Sequence, residues 1–265
     1  MQKPVEKNIV VNGQLIHYYH VDVDSQKKNV LIFLHGWGSN SVLWFPSTLA
    51  LAKEGYELYF LDLPGFGKSQ LPTNAFHLQD YADVVIHFIK KTHISNPILI
   101  GHSFGGKIAI RIASKKTPPI AGLVLVDSSG LPHTSFVTQT KINIAKTVKP
   151  LMNLPFMQGV KSNLLRLSGS DDYIAFPRLR ETFVNVVREH VEFELPQIES
   201  KTHIIWGGDD KNSYTPVSDV IVFKRLIPHV TEHIIQDAGH YCFLDNRQEF
   251  YETVLEFLIS IHGKN

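Results

Sequence analysis

Residues 97–106 read Pro97-Ile98-Leu99-Ile100-Gly101-His102-Ser103-Phe104-Gly105-Gly106. The run from 97 to 102 is apolar on consecutive positions, as a strand covered on both faces would be, and a helical pattern over 104–116 follows at once. Between them, Gly101-His102-Ser103-Phe104-Gly105 matches Gly-x-Ser-x-Gly. A sharp strand-to-helix turn needs neighbours without bulky Cβ substituents. Such a turn lifts the Ser103 hydroxyl clear of the sheet, at the positive end of the helix that follows. A glycine-rich phosphate turn or an inert tight turn would share the pattern, but the flanking strand and helix favour a nucleophile.

Outward from this turn, short β-rich runs alternate with longer helical patterns. Residues 9–11 and 16–21 flank Asn12-Gly13, the strongest short hairpin signal. Strands are expected over 29–35, 56–62, 97–102, 120–127, 202–206 and 231–236. Helices are expected over 41–53, 76–92 and 104–116, after Pro216, and over 247–261. This alternation predicts an α/β fold, a mostly parallel sheet with helices on both faces and antiparallel edge strands from the hairpin. Residues 131–196 break the rhythm with helical patterns at 138–148, 159–167 and 179–191, separated by Pro150, Pro155 and Pro177. They read as a helical cap inserted between two parts of one core, 1–130 and 197–265.

Composition narrows the function. Of 265 residues, 43% are hydrophobic and 19% charged, ample for one large core. Lys and Arg total 26 against 25 Asp and Glu, a formal net charge of +1, which supplies no basic surface for nucleic acid. The short basic cluster at Arg111, Lys115 and Lys116 reads as a solvated helix end. One cysteine, Cys242, allows neither an intrachain disulfide nor a cysteine-built metal site. No apolar run approaches the roughly 20 residues of a spanning helix, and no signal peptide is visible, so no membrane partner and a soluble, cytoplasmic protein are expected.

Serine is a weak nucleophile at neutral pH and needs a base within hydrogen-bonding reach. Among 14 histidines, His240 stands out. Asp237-Ala238-Gly239-His240 follows the last strand, on the carboxyl side of the sheet. His35 and His102, beside glycines at strand ends, fit a shaping role through hydrogen bonds. The base needs an acid that fixes its tautomer and stabilises the imidazolium. Trp206-Gly207-Gly208-Asp209-Asp210 ends the preceding strand with two adjacent carboxylates. Position favours Asp210, which has room to turn back toward His240, over Asp209, with Asp127 as the fallback. His35-Gly36-Trp37-Gly38 places glycines where a backbone N–H can face the serine. The Trp37 and Phe104 amides would form an oxyanion hole, in which one donor is worth about 3 kcal/mol.

These residues amount to a family likeness. His35-Gly36-Trp37-Gly38, Asp62-Leu63-Pro64-Gly65-Phe66-Gly67-Lys68-Ser69, Gly101 to Gly106, Trp206 to Asp210 and Gly239-His240 stand in the order found in the α/β-hydrolase superfamily. The chain resembles its capped esterase and carbon–carbon hydrolase branches. The resemblance implies an eight-stranded sheet, Ser103 as nucleophile, Asp210 as acid, His240 as base, an oxyanion hole from Trp37 and Phe104, and a structural role for residues 62–69. Serine at 103 departs from the dehalogenase and epoxide hydrolase branches, which place aspartate there.

The expected activity is hydrolysis of a small-molecule carboxylic ester through an acyl-enzyme, with no cofactor and no metal. Trp37, Trp44, Phe45, Phe104, Phe136, Met152, Phe156, Met157 and Tyr241 could line an apolar pocket for a small or medium acyl group. A carbon–carbon hydrolase acting on a vinylogous diketone is the alternative. It would use cap arginines among Arg178, Arg180 and Arg188 to meet a substrate carboxylate. A hydrolase-like ligand receptor with vestigial turnover is a third reading.

Overall fold

The computed structural model describes residues 3–23, 29–133, 176–212 and 215–262. The hairpin comes first: β1 (Val5–Val11) and β2 (Gln14–Val21) pair antiparallel in the register Val11↔Gln14. Asn12 and Gly13 sit at φ 51° and 75°, the two left-handed residues that a tight hairpin turn requires. The remaining strands are β3 (Asn29–Leu34), β4 (Tyr56–Leu61), β5 (Ile98–His102), β6 (Gly122–Val126), β7 (Thr202–Gly207) and β8 (Val230–Ile235). They form one eight-stranded sheet in the order β1-β2-β4-β3-β5-β6-β7-β8. β2 runs antiparallel to β4, and every pairing from β4 to β8 is parallel.

The consecutive apolar residues of the central strands are sorted by the pleat onto two faces. Ile32, Leu34, Leu99, Leu123, Leu125, Ile204 and Trp206 face one core. Helices α1 (Leu78–Lys91) and α2 (Phe104–Lys115) pack there, through residues such as Tyr81, Val85, Phe88, Ile108 and Ile112. Leu31, Phe33, Ile98, Ile100, Val124, Val126 and Ile205 face the other core, shared with Trp44, Phe243, Phe250, Val254 and Leu258. Each such side chain contributes about 1.5–3 kcal/mol on burial.

The one helix expected over 41–53 is instead a chain of short turns: 3₁₀ at Ser41–Trp44, α at Phe45–Thr48, and 3₁₀ at Leu49–Glu54. Pro46 carries no amide hydrogen, so a continuous ladder cannot run through it. Trp44 stacks on Phe243 at 4.4 Å and Phe45 meets Phe60 edge-on at 5.0 Å. Both belong to the core beneath the sheet and not to a pocket lining.

Of the segment after 131, the structure describes residues 131–133 and, from 176 on, a 3₁₀ turn Pro177–Leu179, helix α3 (Arg180–Arg188) and a 3₁₀ turn Glu192–Gln197. The helical patterns at 138–148 and 159–167, with Phe136, Met152, Phe156 and Met157, lie outside the described residues. Arg111 is no solvated helix end, because its Nε donates to both carboxylate oxygens of Glu194, at 2.8 and 2.9 Å. Lys107 is buried and donates from Nζ to the Val186 carbonyl at 2.5 Å; desolvation brings its pKa down to about 8. These contacts pin α3 and the turn after it onto α2. Helix α4 (Asp219–Leu226) and helix α5 (Arg247–His262) complete the core.

His203, on β7, is buried against Phe257 with Nδ1 2.7 Å from Thr231 Oγ1. Desolvation, aided by His233, brings its pKa down to about 4. An unfolded histidine protonates near 6.5, so between these values the unfolded chain binds more protons. The contribution of His203 is therefore complete above pH 6.5 and is lost as pH falls toward 4. Relative to wild type, His203→Gln should flatten the pH dependence of unfolding free energy across that interval by on the order of 3 kcal/mol in urea denaturation. Parallel curves for the two proteins would contradict this.

Candidate active site

Ser103 joins the end of β5 to the start of α2 at φ 51°, ψ −111°, a conformation that costs a non-glycine residue about 1–3 kcal/mol. The surroundings enforce it. Ser103 N–H donates to the Val126 carbonyl at 3.0 Å, and the Ser103 carbonyl accepts from the amides of Lys107 (3.2 Å) and Ser129 (3.1 Å). Glycines allow the close approach. A Cβ on Gly105 would lie 2.2 Å from the Leu34 carbonyl oxygen, and one on Gly101 would lie 2.5 Å from the Gly105 oxygen. The Ser103 side chain stands half-buried at the top of the sheet. Phe104 is the first residue of α2, so its N–H has no intrahelical acceptor.

Of the two adjacent carboxylates after β7, Asp209 is exposed and Asp210 is buried. His240 Nδ1 lies 2.9 Å from Asp210 Oδ2. The other Asp210 oxygen, Oδ1, accepts from the Asn212 amide at 2.8 Å. A carboxylate accepting from Nδ1–H leaves Nε2 as the basic nitrogen of a neutral imidazole. Thr215 was not legible as a site residue. Its hydroxyl donates to Asp210 Oδ2 at 2.9 Å, and its oxygen sits 3.1 Å from His240 Nδ1 as a second, longer acceptor. Trp206 Nε1 fixes the Thr215 backbone by donating to its carbonyl at 3.0 Å. Only a hydroxyl beside Pro216 hints at this in the sequence.

The loop that carries His240 is tied to the residue preceding Ser103. His102 Nε2 donates to the His240 carbonyl at 2.8 Å, and the two rings lie 4.7 Å apart. His102 is fully enclosed; desolvation first, then His240, holds its pKa well below the usual histidine value. It is therefore a neutral brace. His35 is likewise held neutral by burial, with Nδ1 donating to the Gly36 carbonyl at 2.7 Å and Nε2 accepting from the Leu63 amide at 3.0 Å. The Asp62 carboxylate accepts from the amides of Ser41 (2.7 Å) and Lys68 (2.9 Å), and this fixes the loop over 62–69 beneath the site.

Gly36 brings its backbone against the serine: a Cβ there would lie 3.3 Å from Ser103 Cβ. The Trp37 amide follows directly. The Trp37 ring meets Phe66 at 4.9 Å, Phe104 at 5.5 Å and Phe183 of α3 at 5.1 Å. Phe176 closes on Phe66 at 5.5 Å. Phe176 and Phe183 thus extend the aromatic wall of Trp37, Phe66 and Phe104 beside Ser103. Arg178, Arg180 and Arg188 are all exposed.

Among the described residues, two clusters bring three metal-competent donor atoms within 4.8 Å of one another: His20 with Asp22 and Glu57, and Asp127 with Asp210 and His240. In the first, the Lys7 ammonium already donates to His20 Nδ1 at 2.8 Å while Nε2 holds Glu57 at 2.6 Å. In the second, Asp210 and His240 are bonded to each other. Among the described residues no helix is long and apolar enough to cross a membrane.

A family model described as the alpha/beta hydrolase family matches residues 31–253. A pimeloyl-[acyl-carrier protein] methyl ester esterase of Shewanella woodyi is 28% identical over 255 residues, covering 86% of this chain and 93% of the relative. A 2-hydroxy-6-oxononadienedioate/2-hydroxy-6-oxononatrienedioate hydrolase of a Pseudomonas species is 24% identical over 270 residues, covering 94% of each. A bacterial membrane phospholipase A superposes with a TM-score of 0.78 at 23% identity, covering 98% of this chain and 87% of that one.

The crowding at the turn gives a stability prediction. Gly105→Ala should cost about 1–3 kcal/mol in denaturant unfolding, because its methyl meets backbone that cannot give way. Gly208→Ala meets the Gln236 side chain at 3.3 Å and should cost less than about 1 kcal/mol. Equal costs would contradict the close-approach account.

Proposed function

This chain belongs to the alpha/beta hydrolase family, and on that premise we propose that it is a serine hydrolase that cleaves a carboxylic ester of a small or medium apolar acyl group through an acyl-enzyme. One observation carries the reading: Asp210 holds His240 Nδ1 at 2.9 Å, and the His240 loop is fastened to His102, the neighbour of Ser103.

In this mechanism the ester carbonyl enters beside Trp37 and Phe104. His240 Nε2 takes the Ser103 proton as Oγ attacks the carbonyl carbon. Negative charge moves to the carbonyl oxygen, which the Trp37 and Phe104 amides receive. Asp210 balances the imidazolium, and Thr215 holds that carboxylate in line. His240 then protonates the departing alkoxide. Water, deprotonated by the same imidazole, attacks the acyl-enzyme and releases the acid. Every proton passes between Ser103, His240, the leaving group and water.

The ester reading is favoured by the aromatic wall of Trp37, Phe66, Phe104, Phe176 and Phe183, which suits an apolar acyl chain. The Pseudomonas relative acts on a dioate, whose carboxylates call for an inward cation. Arg178, Arg180 and Arg188 lie on the exposed side of the cap. In the same reading residues 131–196 form the cap over the site, with 1–130 and 197–265 as the core. The small-molecule ester is the partner.

Hydrolysis of p-nitrophenyl butyrate tests the reading. Ser103→Ala and His240→Ala should each lower kcat by a factor on the order of 10⁴ or more, with the fold retained. A fluorophosphonate should label wild type on Ser103. Undiminished turnover by Ser103→Ala would remove that residue from the mechanism.

A further inference from the structure

Two separate aromatic groups flank Ser103, and the mechanism above uses one of them. The first gathers on Trp37, whose ring meets Phe66, Phe104 and Phe183, while Phe66 meets Phe176. The second gathers on His102. Tyr241 lies 5.0 Å from the His102 ring, 5.3 Å from the His240 ring and 6.0 Å from the Phe243 ring. Tyr241 directly follows His240, yet it is 39% exposed, whereas Phe243 is buried and stacks on Trp44. The buried ring anchors this part of the chain in the core, and the bond from His102 to the His240 carbonyl fastens the loop. Neither task needs an exposed aromatic ring.

The chemistry of the site says what such a ring meets. His240 Nε2 has to reach both the Ser103 proton and the oxygen of the departing alcohol, so the alcohol part of an ester lies against that edge of the imidazole. Asp210 and Thr215 occupy the opposite edge, at Nδ1. Tyr241 touches the ring of His102, the residue before Ser103, and so stands on the serine side of the imidazole. We propose that Tyr241 forms one wall of a subsite for an aromatic alcohol, which sets the leaving-group preference and lets the same alcohol return as an acyl acceptor. This rests on the acyl-enzyme reading given above and names the alcohol that goes with it. Offset stacking on the tyrosine ring favours a phenyl-bearing alcohol over a short alkyl one. An alcohol held there attacks the acyl carbon in place of water. Its oxygen forms a new bond to that carbon as the bond from the carbon to Ser103 Oγ breaks. Its proton goes to His240 Nε2 and from there to Ser103 Oγ, leaving a new ester and the free enzyme.

The test gives the protein p-nitrophenyl butyrate together with equal concentrations of benzyl alcohol and ethanol, both primary alcohols of similar acidity. Gas chromatography separates benzyl butyrate, ethyl butyrate and butyric acid. Wild type should form benzyl butyrate over ethyl butyrate by about fivefold or more. Tyr241→Ala should bring that ratio below about twofold, and Tyr241→Phe, which keeps the ring, should retain it. A ring that merely packed the His240 loop would lower both esters together on substitution and leave their ratio unmoved. Circular dichroism checks the fold of each variant, and Tyr241→Leu takes the place of the alanine variant should that one fail to fold. A wild-type ratio under about fivefold, a ratio that stays above about twofold once the ring is removed, or its loss in Tyr241→Phe would overturn the proposal. Butyric acid as the sole product would also overturn it while leaving the serine mechanism in place. Failure of that mechanism is seen separately, as undiminished release of p-nitrophenol by Ser103→Ala.

Discussion

A serine held at φ 51°, ψ −111° persists only where its surroundings compel it, and the site depends on that compulsion. The strain is balanced by the fit of α2 against β3 and β5. Gly105 lies on the Leu34 carbonyl, Gly106 against Ser128, and Gly101 against the first turn of the helix. Release of any of these contacts would let the backbone at Ser103 relax. In the proposed mechanism the sheet core therefore supports the chemistry directly: Val126 of β6 anchors the Ser103 amide, and the loop after the same strand anchors its carbonyl.

The histidine and acid need a different kind of support, because they sit on loops. His240 is held at three points: its ring by Asp210, the same ring by Thr215, and its backbone by His102. The Asp210 loop is tied to the His240 loop by the Asp209 amide, which donates to the Ala238 carbonyl at 2.9 Å. Loops after parallel strands end at the same edge of the sheet, so Asp210 and His240, 30 residues apart in sequence, meet there. Neutral His102 and His35 make this possible, since charged imidazoles there would be buried without partners.

Much of this was legible in the sequence. The alternation of apolar runs and helical patterns marked six strands to within two residues, and Asn12-Gly13 marked the hairpin that supplies the other two. A two-faced strand writes its burial as a continuous apolar run. The strand-to-helix turn at Ser103 and the loop position of His240 were legible from the glycines beside them. The broken helix over 41–53 was not, since Trp44 and Phe45 keep an apolar rhythm while Pro46 removes a donor. Nor was Thr215, whose role arises only when the loop after β7 folds back on β8. Arg111 looked solvated because its partner Glu194 lies 83 residues away in the sequence.

The proposed chemistry requires Ser103 Oγ, the His240 imidazole and the Trp37 and Phe104 amides to converge on one reacting carbon. A crystal structure of the protein after reaction with a fluorophosphonate examines that convergence directly. It should show phosphorus bonded to Ser103 Oγ and its oxygen about 2.7–3.1 Å from both amide nitrogens. An adduct on another residue, or an oxygen pointing away from both amides into solvent, would contradict it.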